Sequence, residues 1–288
     1  MVKARQGKAT FRIKVLRHGS VRAKARNSQE ENRFKWVVVD RKYYRPRCTP
    51  GGGPPFVVQD GERWLDLGAN VGFFALSALS EGAKSVTCVD AESENLARLR
   101  ENLQLNGHGR SRASVVRALV CGRRSSATSR TPASDAVVSA SAGRRRKLGG
   151  SWLLLSRKTT RHSVLRVPEA RPSGNTQWVP RAVKLHDLLA SDAHGFDAVK
   201  LNIEGAEREV PLAMGARSWG SVRKLVVEYS FDIFPARRDY DHLLQHLQAS
   251  GWRVWPEAVP SSFCRQDAQW DRRQSMGNDA RQIWAFRD

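Results

Sequence analysis

A short apolar run, Arg63-Trp-Leu-Asp-Leu67, passes directly into Gly68-Ala-Asn-Val-Gly72 and out through residues 73–79, which are apolar at helical spacing. A strand that turns on glycines into a helix opens a βα unit, and it constrains the chain more than any bulk property does. The unit repeats. Ser85-Val-Thr-Cys-Val89 reads as a second buried strand ending in Asp90, and residues 92–106 place Leu96, Leu99 and Leu103 on one helical face before Gly107 stops the helix. Further strand patterns cover residues 114–120, 196–203 and 223–228, a helix covers 240–250, and strands at 252–255 and 282–286 close the set. Alternating β and α elements with continuous apolar strands predict an α/β fold: a mainly parallel sheet, helices on both faces, and a ligand beyond the strands' carboxyl ends.

Two segments stand outside that pattern. Residues 1–60 read as a basic extension with short strands, one from the alternation of Phe11, Ile13 and Val15 and one over the β-branched stretch 34–39, followed by a Pro/Gly-rich turn over 46–55. Residues 61–288 form the main domain, with an insertion at about 121–188. Its first half, 122–150, is low-complexity sequence, and alternation around 163–167 and 177–183 suggests an antiparallel hairpin in the second.

Charge follows the same division. The chain carries a formal +21, of which residues 1–47 hold 15 basic against 3 acidic side chains and residues 110–181 hold 16 against 2, so the rest is mildly acidic. Clustered cations favour a polyanionic neighbour such as RNA, an anionic membrane surface or an acidic partner, reached through residues 1–47 and 110–181; a solvated face is the plainer alternative. Residues 1–29 contain nine Lys or Arg and no acid, the composition of a transit peptide and equally of a retained basic arm. The four cysteines are widely spaced and read as reduced thiols, no metal-ligand spacing is present, and no apolar run reaches bilayer length. The expectation is a soluble intracellular protein, of the cytoplasm or an organelle.

The chemistry concentrates at strand ends. In Asp66-Leu-Gly68-Ala69-Asn70-Val-Gly72-Phe73, the glycines allow close backbone approach and the helix start offers unpaired N–H groups to an anion. A dinucleotide fingerprint needs glycines where Asn70 and Phe73 stand, which argues against NAD or FAD. Asp90 follows Gly68 by 22 residues at the second strand's tip, where a carboxylate accepts ribose hydroxyls or caps the next helix. Lys200-Leu-Asn-Ile-Glu-Gly-Ala-Glu207 ends another strand with polar groups beside a glycine. There Glu204 is a candidate base, cofactor ligand or acceptor-orienting group, while Asn202 can only orient and hydrogen-bond. His186 and Glu228, at the end of the 223–228 strand, are weaker candidates for the base.

Three blocks in order, Trp64-Leu-Asp-Leu-Gly-Ala-Asn-Val-Gly-Phe73, residues 86–95, and Asp197-Ala-Val-Lys-Leu-Asn-Ile-Glu-Gly-Ala-Glu207, resemble the FkbM-type methyltransferases. The likeness runs from about residue 61 to 254, interrupted by the insertion. It implies a Rossmann-like seven-stranded methyltransferase fold, S-adenosylmethionine as donor, and O-methylation of a hydroxyl-bearing acceptor. It also implies that Asp66, Gly68, Ala69, Asn70, Gly72, Phe73, Asp90 and Asn202 form the cofactor site and that Glu204 is the acid of the Glu-Gly motif. The chain departs from the family pattern at three places. Asn202 stands where an aspartate is usual, Asp90 where a glutamate is common, and Leu185-His186 where Leu-Asp is common.

Methyl transfer is an in-line displacement, so positioning supplies most of the acceleration and a base removes the acceptor's proton. Glu204 is the first candidate for that base, His186 the second and Glu228 the third. The competing reading keeps the fold but makes the chain an RNA-binding or ribonucleoprotein-associated subunit with weak or no catalysis. The two basic segments and Asn202 favour it.

Overall fold

The computed structural model describes residues 9–15, 19–44, 54–122, 152–157, 161–166, 176–178, 182–231, 233–234, 236–257 and 280–288. The low-complexity stretch 122–150 lies almost wholly outside these residues, as do Cys48 and Cys264. The chain divides into two compact units, Met1–Leu119 with Val179–Arg181 and Phe196–Lys200, and Val120–Trp178 with Ala182–Gly195 and Leu201–Asp288.

In the first unit, β1 (Ala9–Val15) and β2 (Gly19–Ala25) pair antiparallel. The helix α1 (Ser28–Phe34) follows, with Asn27 Oδ1 accepting from the Glu30 amide at its start. It runs into a π-helical turn, Lys35–Val39, closed by Asp40 N donating to Lys35 O at 2.8 Å. The strand expected over 34–39 is therefore a helical segment. The physical reason lies in the spacing: Phe34, Val37 and Val38 are buried while Trp36 and Val39 are exposed, which is helical rather than alternating periodicity. The cap at Asn27 and the acids Glu30 and Glu31 behind it start the helix before β propensity acts.

Next come β3 (Arg63–Leu67), α2 (Phe73–Ser80), β4 (Ser85–Asp90), α3 (Ser93–Leu105) and β5 (Ala113–Arg117). The strands β3, β4 and β5 pair in parallel, Asp66 opposite Cys88 and Asp90 opposite Arg117. All but one residue of β3 is buried and α2 is buried along seven of its eight residues, as a strand and helix enclosed on both sides require. Asp197 is bonded to the start of β3. Its carboxylate accepts from the Arg63 amide at 2.8 Å and its own amide donates to the Arg63 carbonyl at 2.9 Å.

The second unit contains β6 (Leu119–Cys121), β7 (Trp152–Arg157), β8 (Arg161–Arg166), β9 (Thr176–Trp178), β10 (Ala182–Lys184), α4 (Leu185–Ala190), the end of β11 (Ala198–Leu201), α5 (Glu209–Leu212), β12 (Lys224–Ser230), α6 (Arg237–Ala249), β13 (Arg253–Pro256) and β14 (Ala280–Phe286). Within the insertion β7 pairs with both β8 and β9, so the expected hairpin is a three-stranded sheet whose centre is Trp152–Arg157. Those residues lack alternation, being Trp-Leu-Leu-Leu in succession, which hides a strand from a period-two search. The fully buried β12 pairs antiparallel with β14, and β14 with β13. Rings of Tyr229, Phe231, Phe234 and Tyr240 gather beside β12, and Trp219 meets Trp252 edge-on.

The main sheet has seven strands in the order β13-β14-β12-β11-β3-β4-β5 and is mostly parallel. The fold is mixed α/β, as the alternation of elements predicts. Among the described residues no helix is long and apolar enough to cross a membrane, and no group of three or more His, Cys, Asp or Glu is placed to hold a metal ion.

Candidate functional site

The turn between β3 and α2 is fixed from both sides. Gly68 N and Ala69 N both donate to Val89 O on β4, at 2.9 and 3.0 Å, and Gly72 N donates back to Ala69 O. Three residues take left-handed conformations, Gly68 at φ 75°, Asn70 at 50° and Gly72 at 89°. Asn70 carries this as an asparagine can, whereas Gly72 is further constrained. A Cβ there would lie 2.9 Å from Leu99 Cγ, so the glycine lets α2 start against α3. The helix begins without a side-chain cap, leaving its first N–H groups directed at the turn.

Asp90 holds the turn to the adjoining strand. Its Oδ2 accepts from Asn70 N and its Oδ1 from Glu92 N, each at 2.8 Å. The side chain is half-buried at the carboxyl end of β4, and its Oδ1 also accepts from Asn95 Nδ2 at 3.4 Å. Asp90 thus joins the glycine turn to the residue that caps α3, Glu92, whose carboxylate accepts from Glu94 N. The two roles weighed for it, binding at the strand tip and supporting the helix start, do not exclude each other geometrically.

Beneath the turn lies a buried ion pair. Lys200 Nζ sits 2.9 Å from Asp66 Oδ1 and donates to the carbonyls of Gly68 at 2.9 Å and Leu67 at 3.3 Å. Asp66 is fully buried and Lys200 nearly so. Burial pushes the Asp66 carboxyl up and the Lys200 ammonium opposes that push. The ammonium also lies 5.2 Å from the centre of the buried Tyr43 ring. Asp66 therefore acts on the turn through Lys200, and Phe73 packs edge-on against Phe34 at 5.2 Å. Ala69 is buried as well. The uncapped start of α2 and the half-buried Asp90 are the groups of the turn best placed to meet a ligand.

In the second unit, Asn202 and Glu204 follow β11 and are half-buried. Glu204 adopts φ 44°, a left-handed conformation costly for a residue with a Cβ and maintained only by its surroundings. The surroundings include Glu207, which is fully buried. Its Oε1 accepts from Ile203 N at 3.1 Å and its Oε2 from Gly205 N at 2.8 Å, bracketing Glu204. Burial pushes the Glu207 carboxyl up to about 7, against the backbone N–H groups that lower it and with the Glu228 carboxylate adding to the rise. Glu228 lies inside β12 opposite Gln282 rather than at a strand end, because β12 continues to Ser230. His186 sits in the first turn of α4, exposed, with its ring 3.6 Å from the Asp187 carboxylate.

No protein-family model matches the chain and no curated protein matches its sequence. Among solved structures it is similar to TYW2 of M. jannaschii in complex with AdoMet, at 9% identity and a TM-score of 0.41 over 99% of this chain and 87% of that one. It is also similar to the methyltransferase domain of bacterial CtHen1-C, at 10% identity and 0.40 over 90% and 98%. A third is a precorrin-6y C5,15-methyltransferase from Geobacter metallireducens GS-15, at 12% and 0.39 over 80% and 83%. Likeness this distant assigns this chain neither substrate nor reaction.

Two features of the site escape a reading of the sequence. Lys200 and Asp66 are far apart along the chain, and only their shared position in neighbouring buried strands brings them together; a lysine inside an apolar strand pattern is the available signal. Glu207 is visible as the last acid of the Glu-Gly-Ala-Glu run, but its burial and its hold on the Ile203 and Gly205 amides are not a property of spacing.

Proposed function

We propose that the chain is an S-adenosylmethionine-dependent methyltransferase of the FkbM type that methylates a hydroxyl on its acceptor. The observation carrying this reading is the left-handed turn Gly68–Gly72, which opens at the uncapped start of α2 and receives the Asp90 carboxylate on its Asn70 amide. The uncapped helix start behind the turn offers backbone N–H groups to a carboxylate, and Asp90 an acid to a pair of hydroxyls, the two polar ends of an amino-acid-bearing nucleoside. The turn lacks the second and third glycines of a pyrophosphate-binding turn, Asn70 and Phe73 standing in their places. The residues present fit the cofactor. The helix start would hold its carboxylate, Asp90 its ribose, and Lys200 with Asp66 would keep the turn rigid. When bound, the cofactor supplies an electrophilic methyl group on a sulfonium.

Deprotonation of the acceptor is assigned to Glu204. Its backbone is held between the two amides that Glu207 binds, whereas His186 is solvent-exposed beside Asp187 and Glu228 is enclosed within a strand. Asn202 carries no charge, so it orients by hydrogen bonding alone.

A ligand that binds only the folded state raises the melting temperature by mass action. S-adenosylmethionine and S-adenosylhomocysteine, each at about 100 times its dissociation constant, should therefore stabilise the protein by about 2.7 kcal/mol, and NAD by nothing measurable. A melting temperature indifferent to both sulfur nucleosides, or raised equally by NAD, rules the proposal out.

A further inference from the structure

The turn between β3 and α2 is held from two sides, peptide by peptide. A trans peptide is planar, so the carbonyl of one residue and the N–H of the next point opposite ways from a single rigid unit. In the unit joining Leu67 to Gly68, Lys200 Nζ donates to the carbonyl at 3.3 Å while the N–H donates to Val89 O at 2.9 Å. In the next unit, Lys200 Nζ donates to Gly68 O at 2.9 Å while Ala69 N donates to the same Val89 O at 3.0 Å. One ammonium and one carbonyl oxygen thus fix both planes, and with them the direction in which residues 70–72 leave the strand. The ammonium has three N–H groups, and Asp66 Oδ1, Gly68 O and Leu67 O account for all three. The Tyr43 ring, its centre 5.2 Å from Nζ, adds attraction for the cation without displacing any of those bonds.

Tyr43 is delivered there by α2. Phe74, Ser77 and Glu81, which caps the helix, are spaced three and four residues apart and share one helical face. Residues 41–44 run along it. Arg41 pairs with Glu81 at 3.2 Å and the Tyr44 hydroxyl lies 3.0 Å from Ser77 Oγ. The rings of Tyr43 and Tyr44 both meet that of Phe74, with centres 5.5 and 6.3 Å away. Both tyrosines, Ser77 and Glu81 are buried. The backbone is bent to match: Arg41 adopts φ 54°, and Tyr44 N donates to Arg41 O at 2.8 Å. The cost of that conformation is offset by the Glu81 ion pair and by the Tyr44 ring, 4.6 Å from the Arg41 guanidinium. Residues 41–44 precede the blocks that carry the family likeness, which begin at Trp64.

We propose that Tyr43 is a positioning residue of the cofactor turn and acts through Lys200. Its ring covers the ammonium, keeps water from competing for Leu67 O and Gly68 O, and sets the two peptide planes before a ligand arrives. Its service to cofactor binding rests on the cofactor reading of this turn; its bracing of the turn does not. Apolar packing is the plainer role for a buried tyrosine, and the two roles differ in which replacements preserve them.

The test is hydrogen exchange of the Gly68 and Ala69 amides in the full, unliganded chain, measured relative to the Trp64 and Leu65 amides of the same sheet so that a general loss of stability cancels. Tyr43→Phe keeps the ring and should leave that ratio unchanged, whereas Tyr43→Leu should quicken exchange at 68 and 69 by roughly tenfold. Tyr43→Met is a second ringless variant, so the comparison survives a failure of Tyr43→Leu to fold. In an Asp66→Asn/Lys200→Met background, which removes the ammonium together with its counter-charge, Tyr43→Leu should add no further quickening. The dissociation constant for S-adenosylmethionine should rise roughly tenfold in Tyr43→Leu and stay level in Tyr43→Phe. The same exchange ratio in Tyr43→Phe and Tyr43→Leu, or equal quickening with and without Lys200, would overturn the proposal. An unaltered protein that binds no S-adenosylmethionine removes the cofactor reading instead, and the exchange ratios still decide whether Tyr43 braces the turn.

Discussion

Glu204 occupies a left-handed conformation because Glu207 grips the amides on either side of it, and that grip depends on a buried carboxylate. Folding raises the Glu207 carboxyl from its ordinary 4.5 to about 7, chiefly through burial. Between those values the unfolded chain releases its proton and the folded chain keeps it, so stability is greatest below the lower value and declines as pH rises toward 7. The decline from this group is at most ~1.4 kcal/mol per pH unit and stops above 7. Urea unfolding from pH 4.5 to 7.5 should show that slope in the unaltered protein and a flatter profile in Glu207→Gln; parallel profiles would show that Glu207 is not the titrating group. At this scale the sequence is only partly readable. It places Asp66, Gly68, Asn70, Gly72 and Asp90 on one strand-turn-helix and its neighbour, because those positions follow from local pattern. It does not reveal that Asp66 is fully buried on Lys200, or that Phe73 faces Phe34, because both depend on tertiary partners.

The helix α3 joins two structures at once. One stripe, Leu96, Leu99 and Leu103, packs into the core, and the adjacent stripe, Arg98, Asn102 and Asn106, carries β2. Asn102 also donates to Val71 O at 2.9 Å, so the same amide steadies the glycine turn. Removing it in Asn102→Ala leaves the Val71 carbonyl and the Lys24 amide unpaired, which costs about 1–3 kcal/mol. Hydrogen exchange should quicken at Lys24 and across residues 69–72 in that variant, while Asn106→Ala, whose bonds to Arg22 are more exposed, should quicken exchange at Arg22 alone; unaltered exchange at 69–72 in Asn102→Ala would contradict the coupling. The leucine stripe is readable from helical spacing, but the polar stripe beside it resembles any solvated helix face. Residues 34–39 show the opposite error, since β-branched composition there outweighs the burial period set by Phe34, Val37 and Val38.

Over the whole molecule, the alternation of strands and helices is enough to predict the mixed α/β fold, since each parallel strand must be enclosed on both faces and therefore reads as a continuous apolar run. The insertion yields less, because its central strand Trp152–Arg157 has no alternation to detect. Charge belongs to this scale too: residues 1–47 carry 15 of the basic side chains against 3 acids. The central claim concerns the turn at Gly68–Gly72 and the carboxylate of Asp90, and calorimetric titration with S-adenosylmethionine tests it most directly. The unaltered protein should bind one equivalent, Asp90→Glu should keep that binding, and Asp90→Ala should weaken it by about tenfold or more, ~1.4 kcal/mol. A folded protein that takes up no S-adenosylmethionine, or an Asp90→Ala variant that binds it as tightly as the unaltered chain, would contradict the account.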